Sequence, residues 1–179
     1  MNQSNFSNFN NLKAMNEVFK RLNILRRWSS YVTENKYNEL AKQSLNCLST
    51  YILASYCEEK GKKIRWELFP KIALYRAFQK VYVYFDRPEH IIDEICETGG
   101  LEKDVFFDAT KQIICELTDK EFSDFISEGI GTYEMKIYRV ATKIATLIEL
   151  VEVQSNIKEE DYTNHLQRIA DYLEDYLDM

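Results

Sequence analysis

The sequence predicts an all-α protein, a compact bundle of six to eight helices. Three observations carry that expectation. Apolar residues return every three or four positions over most of the chain, the period of a helix with one buried face. Only 5 Gly and 2 Pro occur in 179 residues, too few for a β-sandwich or barrel, whose turn signals recur roughly every 8 to 12 residues. A composition of 45% hydrophobic and 29% charged residues is that of a globular chain, and the length suits one domain over 1–179 behind a polar tail at 1–10.

Each helix has its own justification. Leu12, Met15, Phe19, Leu22, Ile24 and Leu25 form a first amphipathic stretch that runs into Arg26-Arg27-Trp28. The polar run 29–37 breaks the period. Leu40, Leu45, Leu48, Tyr51, Ile52 and Ser55 then mark a helix over about 38–59, stopped where Gly61 can take a left-handed cap. The segment 66–85 is apolar on more than one side, which predicts a central, mostly buried helix, with Pro70 tolerable only near its start. A short segment follows Pro88, and Gly99-Gly100 interrupts it. Val105, Phe106, Ala109, Ile113 and Leu117 predict a helix within 101–117, and Thr118 or Asp119 caps a short one ending near Gly129 and Gly131. Ile137, Val140, Ala141, Ile144, Ala145, Ile148 and Val151 stripe 132–153; Tyr162, Leu166, Ile169, Leu173 and Leu177 stripe 158–177, which is acidic elsewhere. No internal repeat, low-complexity tract or linker divides the chain.

Charge, cysteine and motif content narrow the function. The net charge of -6 is uneven: residues 1–87 carry 15 Lys+Arg against 7 Asp+Glu, and residues 88–179 carry 8 against 22. Such a split can steer anions to one face, or pair solvated surfaces within the fold or across a dimer. Cys47, Cys57, Cys96 and Cys115 are widely spaced among apolar neighbours, which predicts buried reduced thiols. His90 and His165 have no Cys, Asp or second His at ligand spacing, so no zinc motif is expected. Nucleotide-binding glycine loops, nucleophile elbows and zinc-protease motifs are missing. Arg26, Arg27, Trp28, Lys60, Lys62, Lys63, Arg65 and Trp66 could make a basic aromatic face, but a pI near 5.1 argues against nucleic acid. No stretch approaches a membrane span and no signal-peptide core is present, so the expected location is the cytoplasm, off the membrane.

Five stretches taken together are similar to a known family: 22–28 ending in Arg27-Trp28, Thr33-Glu34-Asn35, Gln43-Ser44-Leu45, 72–77 with Tyr75-Arg76-Ala77, and 140–144 with Ala141-Thr142-Lys143. In their order and spacing they resemble the HD-domain phosphohydrolases, most closely the YfbR-like 5'-deoxynucleotidase branch, over about 19–156. The resemblance implies a divalent metal held by a His opening the second helix, a His-Asp pair on the next core helix and an Asp on a late helix. The first position falls on Gln43, or on Lys42 if the gap is shifted by one; the pair falls on Arg76 and Ala77, and the last on Thr142. An acidic residue three positions beyond the pair is replaced by Lys80. Arg27 and Trp28 match positions of substrate contact, the Arg near phosphate and the Trp beside base or sugar.

With every implied ligand replaced, the expected protein is a catalytically inactive, metal-free HD-like pseudoenzyme without a cofactor. It would sense a nucleotide or other phosphate-bearing anion, or dock onto a protein partner. Arg27, Trp28, Lys42, Gln43, Arg76, Lys80 and Thr142 are the candidate ligand-binding residues; Arg76 and Lys80, four apart, would share a helix face. The bland account of those two is ion pairing with an acidic helix such as that holding Glu149 and Glu152. A buried guanidinium needs an anionic partner in either case. One alternative is an active nucleotide phosphohydrolase using Asp86, Glu89, His90 and Asp93, although acidic residues at a helix start are commonplace. The other is a purely structural interaction protein, a homodimer joining basic to acidic surfaces, with dimerisation suggested by the resemblance.

Overall fold

A computed structural model describes residues 9–28, 31, 38–84 and 104–174. The Asp86–Asp93 acidic cluster with His90, Thr33-Glu34-Asn35, Gly99-Gly100 and Cys96 lie outside the described residues. The protein is all-α: the described residues form seven α-helices and no strand. These are α1 (Phe9–Ile24), α2 (Glu39–Glu59), α3 (Leu68–Phe78, continued by a π-helical turn Gln79–Val83), α4 (Asp104–Leu117), α5 (Lys120–Ser127), α6 (Tyr133–Val153, continued by a 3-10 turn Gln154–Asn156) and α7 (Glu159–Glu174). No helix among the described residues is long and apolar enough to cross a membrane.

Local chemistry explains the boundaries. The side chains of Asn38, Asp119 and Thr132 accept from the backbone N–H three residues on, at 2.8, 2.7 and 3.3 Å, and so open α2, α5 and α6. Helix α2 closes on Gly61 at φ +85°: the Gly61 N–H bonds to Glu58 O at 2.9 Å and the Lys62 N–H to Cys57 O at 3.0 Å, the paired closure of a Schellman motif. Pro70 is the third residue of α3, where a missing N–H leaves no helical bond unmade.

The chain divides into two compact units, each built from two segments. The first comprises Met1–Leu25 and Pro70–Ile130. In it α4 packs against α1, α5 and the π-helical turn. Val18, Leu22, Ile72, Tyr75, Phe78, Ile114 and Ile126 are buried, as expected of a segment 66–85 that is apolar on several sides. The Tyr75 hydroxyl donates to Phe107 O at 2.8 Å, and Asn11 Nδ2 donates to Asp119 Oδ2 at 2.9 Å, tying α1 to the cap of α5.

The second unit comprises Arg26–Phe69 and Gly131–Met179. Helix α2 lies along α6 in an antiparallel pair: Tyr133, at the start of α6, donates to Cys57 Sγ at 3.6 Å near the end of α2, while Lys42, near the start of α2, reaches Thr142 and Thr146. Helix α7 folds back on α6 around Leu150, Val153, Ile157 and Ile169, with Tyr162, Leu166 and Leu173 packed alongside.

Helix α2 corrects the sequence expectation about its facing. The residues it buries are Glu39, Lys42, Asn46, Ser49, Thr50 and Ala54, whereas Leu48, Tyr51 and Ile52 of the apolar pattern face solvent. Cys47 and Cys115 are exposed and Cys57 is half-buried, so the expected burial of the thiols fails at these positions. Leu12, Val105, Ile148 and Val151 of the expected stripes are also exposed.

Candidate functional site

The second unit buries a charged cluster at the N-terminal end of α2. An isolated antiparallel bridge between Arg26 and Asn38 lays the chain leaving α1 beside the start of α2. From there Arg27 reaches two carboxylates on different helices. Its Nε donates to Glu149 Oε2 at 2.9 Å and Oε1 at 3.2 Å, its Nη2 lies 2.8 Å from Glu149 Oε2, and its Nη1 donates to Glu39 Oε2 at 2.9 Å. Glu39 stands in the first turn of α2, where the helix dipole favours an anion. Burial pulls the Arg27 pKa down, but Glu39 and Glu149 outweigh it and hold the guanidinium above its ordinary value.

Lys42 enters from the next turn with only 2% of its surface exposed. Its Nζ donates to Thr142 O at 3.0 Å and Thr146 Oγ1 at 2.6 Å, and stands 3.8 Å from Glu149 Oε2. Burial and then the Arg27 charge push its pKa down to about 7 against the pull of Glu149 and Glu39. Gln43 extends the network: its Nε2 reaches Glu39 Oε1 at 3.4 Å and its Oε1 accepts from the Tyr138 hydroxyl at 2.8 Å. Two formal cations thus meet two carboxylates, and the charges close on themselves within the unit.

Trp28 sits at the rim of this cluster with φ +59°, a left-handed backbone that is strained for a side chain of this size. Its indole Nε1 donates to Glu149 Oε2 at 3.3 Å, and its ring meets His165 edge-on at 5.4 Å and Tyr31 at 6.5 Å. Burial, then Arg168, lowers the His165 pKa against the opposing pull of Asp161, which favours the neutral ring in the aromatic contact.

Of the candidate residues, Arg27, Trp28, Lys42, Gln43 and Thr142 come together here. Thr142 takes part through its main-chain carbonyl, its hydroxyl donating to Tyr138 O at 2.9 Å. Arg76 and Lys80 belong to the first unit. Arg76 donates to the Gln79 side chain and lies over the Tyr84 ring at 5.6 Å, and Lys80 is half-buried in the π-helical turn. Glu149, on the helix named as a possible source of counter-ions for Arg76 and Lys80, bonds to Arg27 and lies 3.8 Å from Lys42 Nζ. Glu39, Tyr138 and Thr146 were not foreseen. Glu149 carried a sequence signal, because it continues the buried row Ile137, Ala141, Ala145 at four-residue steps.

Of the residues foreseen as a nucleic-acid face, Arg27 and Trp28 are absorbed in the cluster, Arg65 pairs with Glu134 and Trp66 donates to Glu58. The divalent metal that the resemblance implies does not fit the residues at its positions. An ammonium, an amide and a guanidinium offer a dication repulsion or weak ligation where imidazole and carboxylate would bind it. Among the described residues no three His, Cys, Asp or Glu side chains gather as a metal-holding group. Comparison with protein-family models, with curated proteins and with solved structures gives no match.

Proposed function

We propose that this chain is a non-catalytic helical interaction module, derived from an HD-domain phosphohydrolase fold, in which a lysine of the chain takes over the role of the metal. The observation that supports this is the bond from Lys42 Nζ to Thr142 O. With the gap shifted by one, so that the first metal position falls on Lys42 and not on Gln43, two positions 100 residues apart that the resemblance makes ligands of one metal bond to each other directly, Lys42 through its side chain and Thr142 through its main-chain carbonyl. The Lys42 amine bridges α2 and α6 through Thr142 O and Thr146 Oγ1, with Glu149 Oε2 3.8 Å away. Such a contact joins the two helices without an exchangeable ion.

The same geometry favours partner binding over anion sensing. The Arg27 donors that would grip a phosphate are turned onto Glu39 and Glu149, so an incoming anion would have to displace a buried carboxylate. The test is calorimetric titration of the chelator-treated protein with Mn2+, Mg2+ and deoxynucleoside monophosphates, alongside an assay for released phosphate. No binding heat and no phosphate release are expected. Metal-dependent phosphate release, or nucleotide binding abolished by Arg27→Ala, overturns the proposal.

A further inference from the structure

The outward face of α2 is the part of the molecule that the ion cluster does not explain. Leu48, Tyr51, Ile52 and Tyr56 lie on it at 64%, 64%, 67% and 56% exposure. Residues 43–57 of α2 include no acidic or basic side chain, and Lys60 Nζ lies over the Tyr56 ring at 5.3 Å at the C-terminal end of the face. At these exposures the four side chains leave on the order of 500 Å2 open, near the upper end of what a monomer shows in one patch.

We propose that this face binds a second copy of the same chain, α2 against α2 across a two-fold axis. The inference deepens the interaction-module proposal by giving that module a surface and a partner. Three features favour a copy over a different occupant. First, Ala41, Ser44, Leu48, Tyr51 and Ser55 are spaced by alternating steps of three and four residues, the repeat along which two helices mesh. Second, the face is small at one end and large at the other. Antiparallel pairing about Leu48 sets Ser44 of one copy opposite Ile52 of the other, so that small meets large on both sides of the axis. Third, the middle of the face around Leu48 and Ile52 carries no charge that would repel its own copy, Lys60 Nζ lying over the Tyr56 ring at 5.3 Å at the end of the face away from the axis.

The area agrees with this occupant. Doubled by symmetry, the four side chains alone bring the buried surface to roughly 1,000 Å2, the floor for a specific interface, before Ala41, Ser44 and Cys47 are added. A lipid surface fits less well, because interfacial helices set a cationic polar face beside the apolar one. The polar face of α2 is packed on α6 instead.

The test is the mass of the full chain in solution, by light scattering or sedimentation, from low micromolar to about 200 μM and in up to about 1 M NaCl. The expected mass is twice 21.3 kDa, unchanged by salt and halved in Ile52→Glu and in Leu48→Glu. Both residues are exposed, and unchanged helical circular dichroism, with melting unchanged in dilute solution where association is negligible, would show that each variant still folds. A monomeric wild type overturns the inference. A dimer that salt dissociates, or that survives both substitutions, also overturns it, by assigning association to another surface. Phosphate release in the preceding assay would refute the interaction-module proposal and leave this mass measurement standing, whereas a monomeric mass would refute self-association alone.

Discussion

Helices α2 and α7 both show an apolar period in the sequence, yet they use it in opposite directions. In α7 the pattern points inward: Leu166, Ile169 and Leu173 join the core on α6, and the acidic residues of its first turn stay near the surface. In α2 the pattern points outward, and Glu39, Lys42, Asn46, Ser49 and Thr50 are buried. Periodicity reports that a helix has two unlike faces, not which of them the protein covers. The polar face of α2 can go inside because most of it brings partners with it, the buried Asn46 Oδ1, which has none, being the exception. Lys42 has Thr142 and Thr146, Glu39 has Arg27 and Gln43, and the Thr50 hydroxyl donates to Asn46 O at 2.7 Å. A buried polar group with its hydrogen bonds made costs little, whereas an orphaned one costs the full desolvation.

The sharpest way to break this arrangement is to remove the carboxylate on which it converges. Glu149→Ala leaves Arg27 with Glu39 alone and Lys42 without its nearest anion. Truncating one partner of a buried ion cluster costs about 3–5 kcal/mol, and urea denaturation of the variant should show a loss of that order. A midpoint within error of wild type would mean that the cluster contributes nothing to the inward facing of α2.

Lys42→Met tests the same face through pH. The native pKa of Lys42 is pushed down to about 7 from an ordinary 10.5. Below pH 7 the lysine is charged in both folded and unfolded chains, and its burial penalty is felt in full. Between about 7 and 10.5 the unfolded chain holds a proton that the folded chain has released. Wild-type stability should therefore rise with pH across that window, by at most about 1.4 kcal/mol per unit from this group. Lys42→Met lacks this contribution, so the difference in stability between wild type and variant should move in favour of wild type as pH rises from about 6 to about 9.5. Urea midpoints of both proteins measured across that range check the slope, and parallel curves would show that Lys42 titrates normally.

Helix ends were legible in the sequence to within a few residues because capping is local chemistry. Asn38, Asp119 and Thr132 announce their helices, and Gly61 closes α2 where a left-handed residue was required. Facing was less legible, because it depends on residues far away. In α1 the buried row is Asn11, Ala14, Val18 and Leu22, while Leu12 and Phe19 are exposed. The polar Asn11 earns its place by bonding to Asp119, 108 positions away. Arg27, Trp28, Lys42, Gln43 and Thr142 were marked by resemblance, not by any local motif, and the carboxylates that organise them were harder to find. Glu39 looks like an ordinary first-turn acid. Arg76 stands in the last turn of α3 and Lys80 in the wider π-helical turn that follows, which begins at Gln79 with no Gly or Pro to signal it.

A smaller effect is expected where α2 begins. The Asn38 side chain caps the helix immediately before Glu39, so Asn38→Ala both frees the Ala41 N–H and loosens the turn that presents Glu39 to Arg27. Loss of such a cap costs about 1 kcal/mol. Asn38→Asp keeps the acceptor and should restore most of it in thermal melts. If Asn38→Asp melts as low as the alanine variant, the cap hydrogen bond is not what sets the start of α2.

The outward face should give the smallest stability change of all. At Ile52 the side chain is 67% exposed, so a glutamate there remains solvated and leaves no cavity behind. In the isolated chain Ile52→Glu should alter stability by less than about 0.5 kcal/mol, although it places a charge in the middle of an uncharged face. Ala54, two residues on, is fully buried against the rest of the fold, and Ala54→Glu inserts an unpaired carboxylate there, which should unfold the helix pair. Thermal melts of the two glutamate variants in dilute solution, where association is negligible, therefore measure the two faces of one helix separately. Near-wild-type melting for Ile52→Glu beside collapse of Ala54→Glu is the signature of a helix whose polar side holds the fold and whose apolar side does not. Equal losses in both variants would mean that the apolar side of α2 is buried in the folded monomer after all.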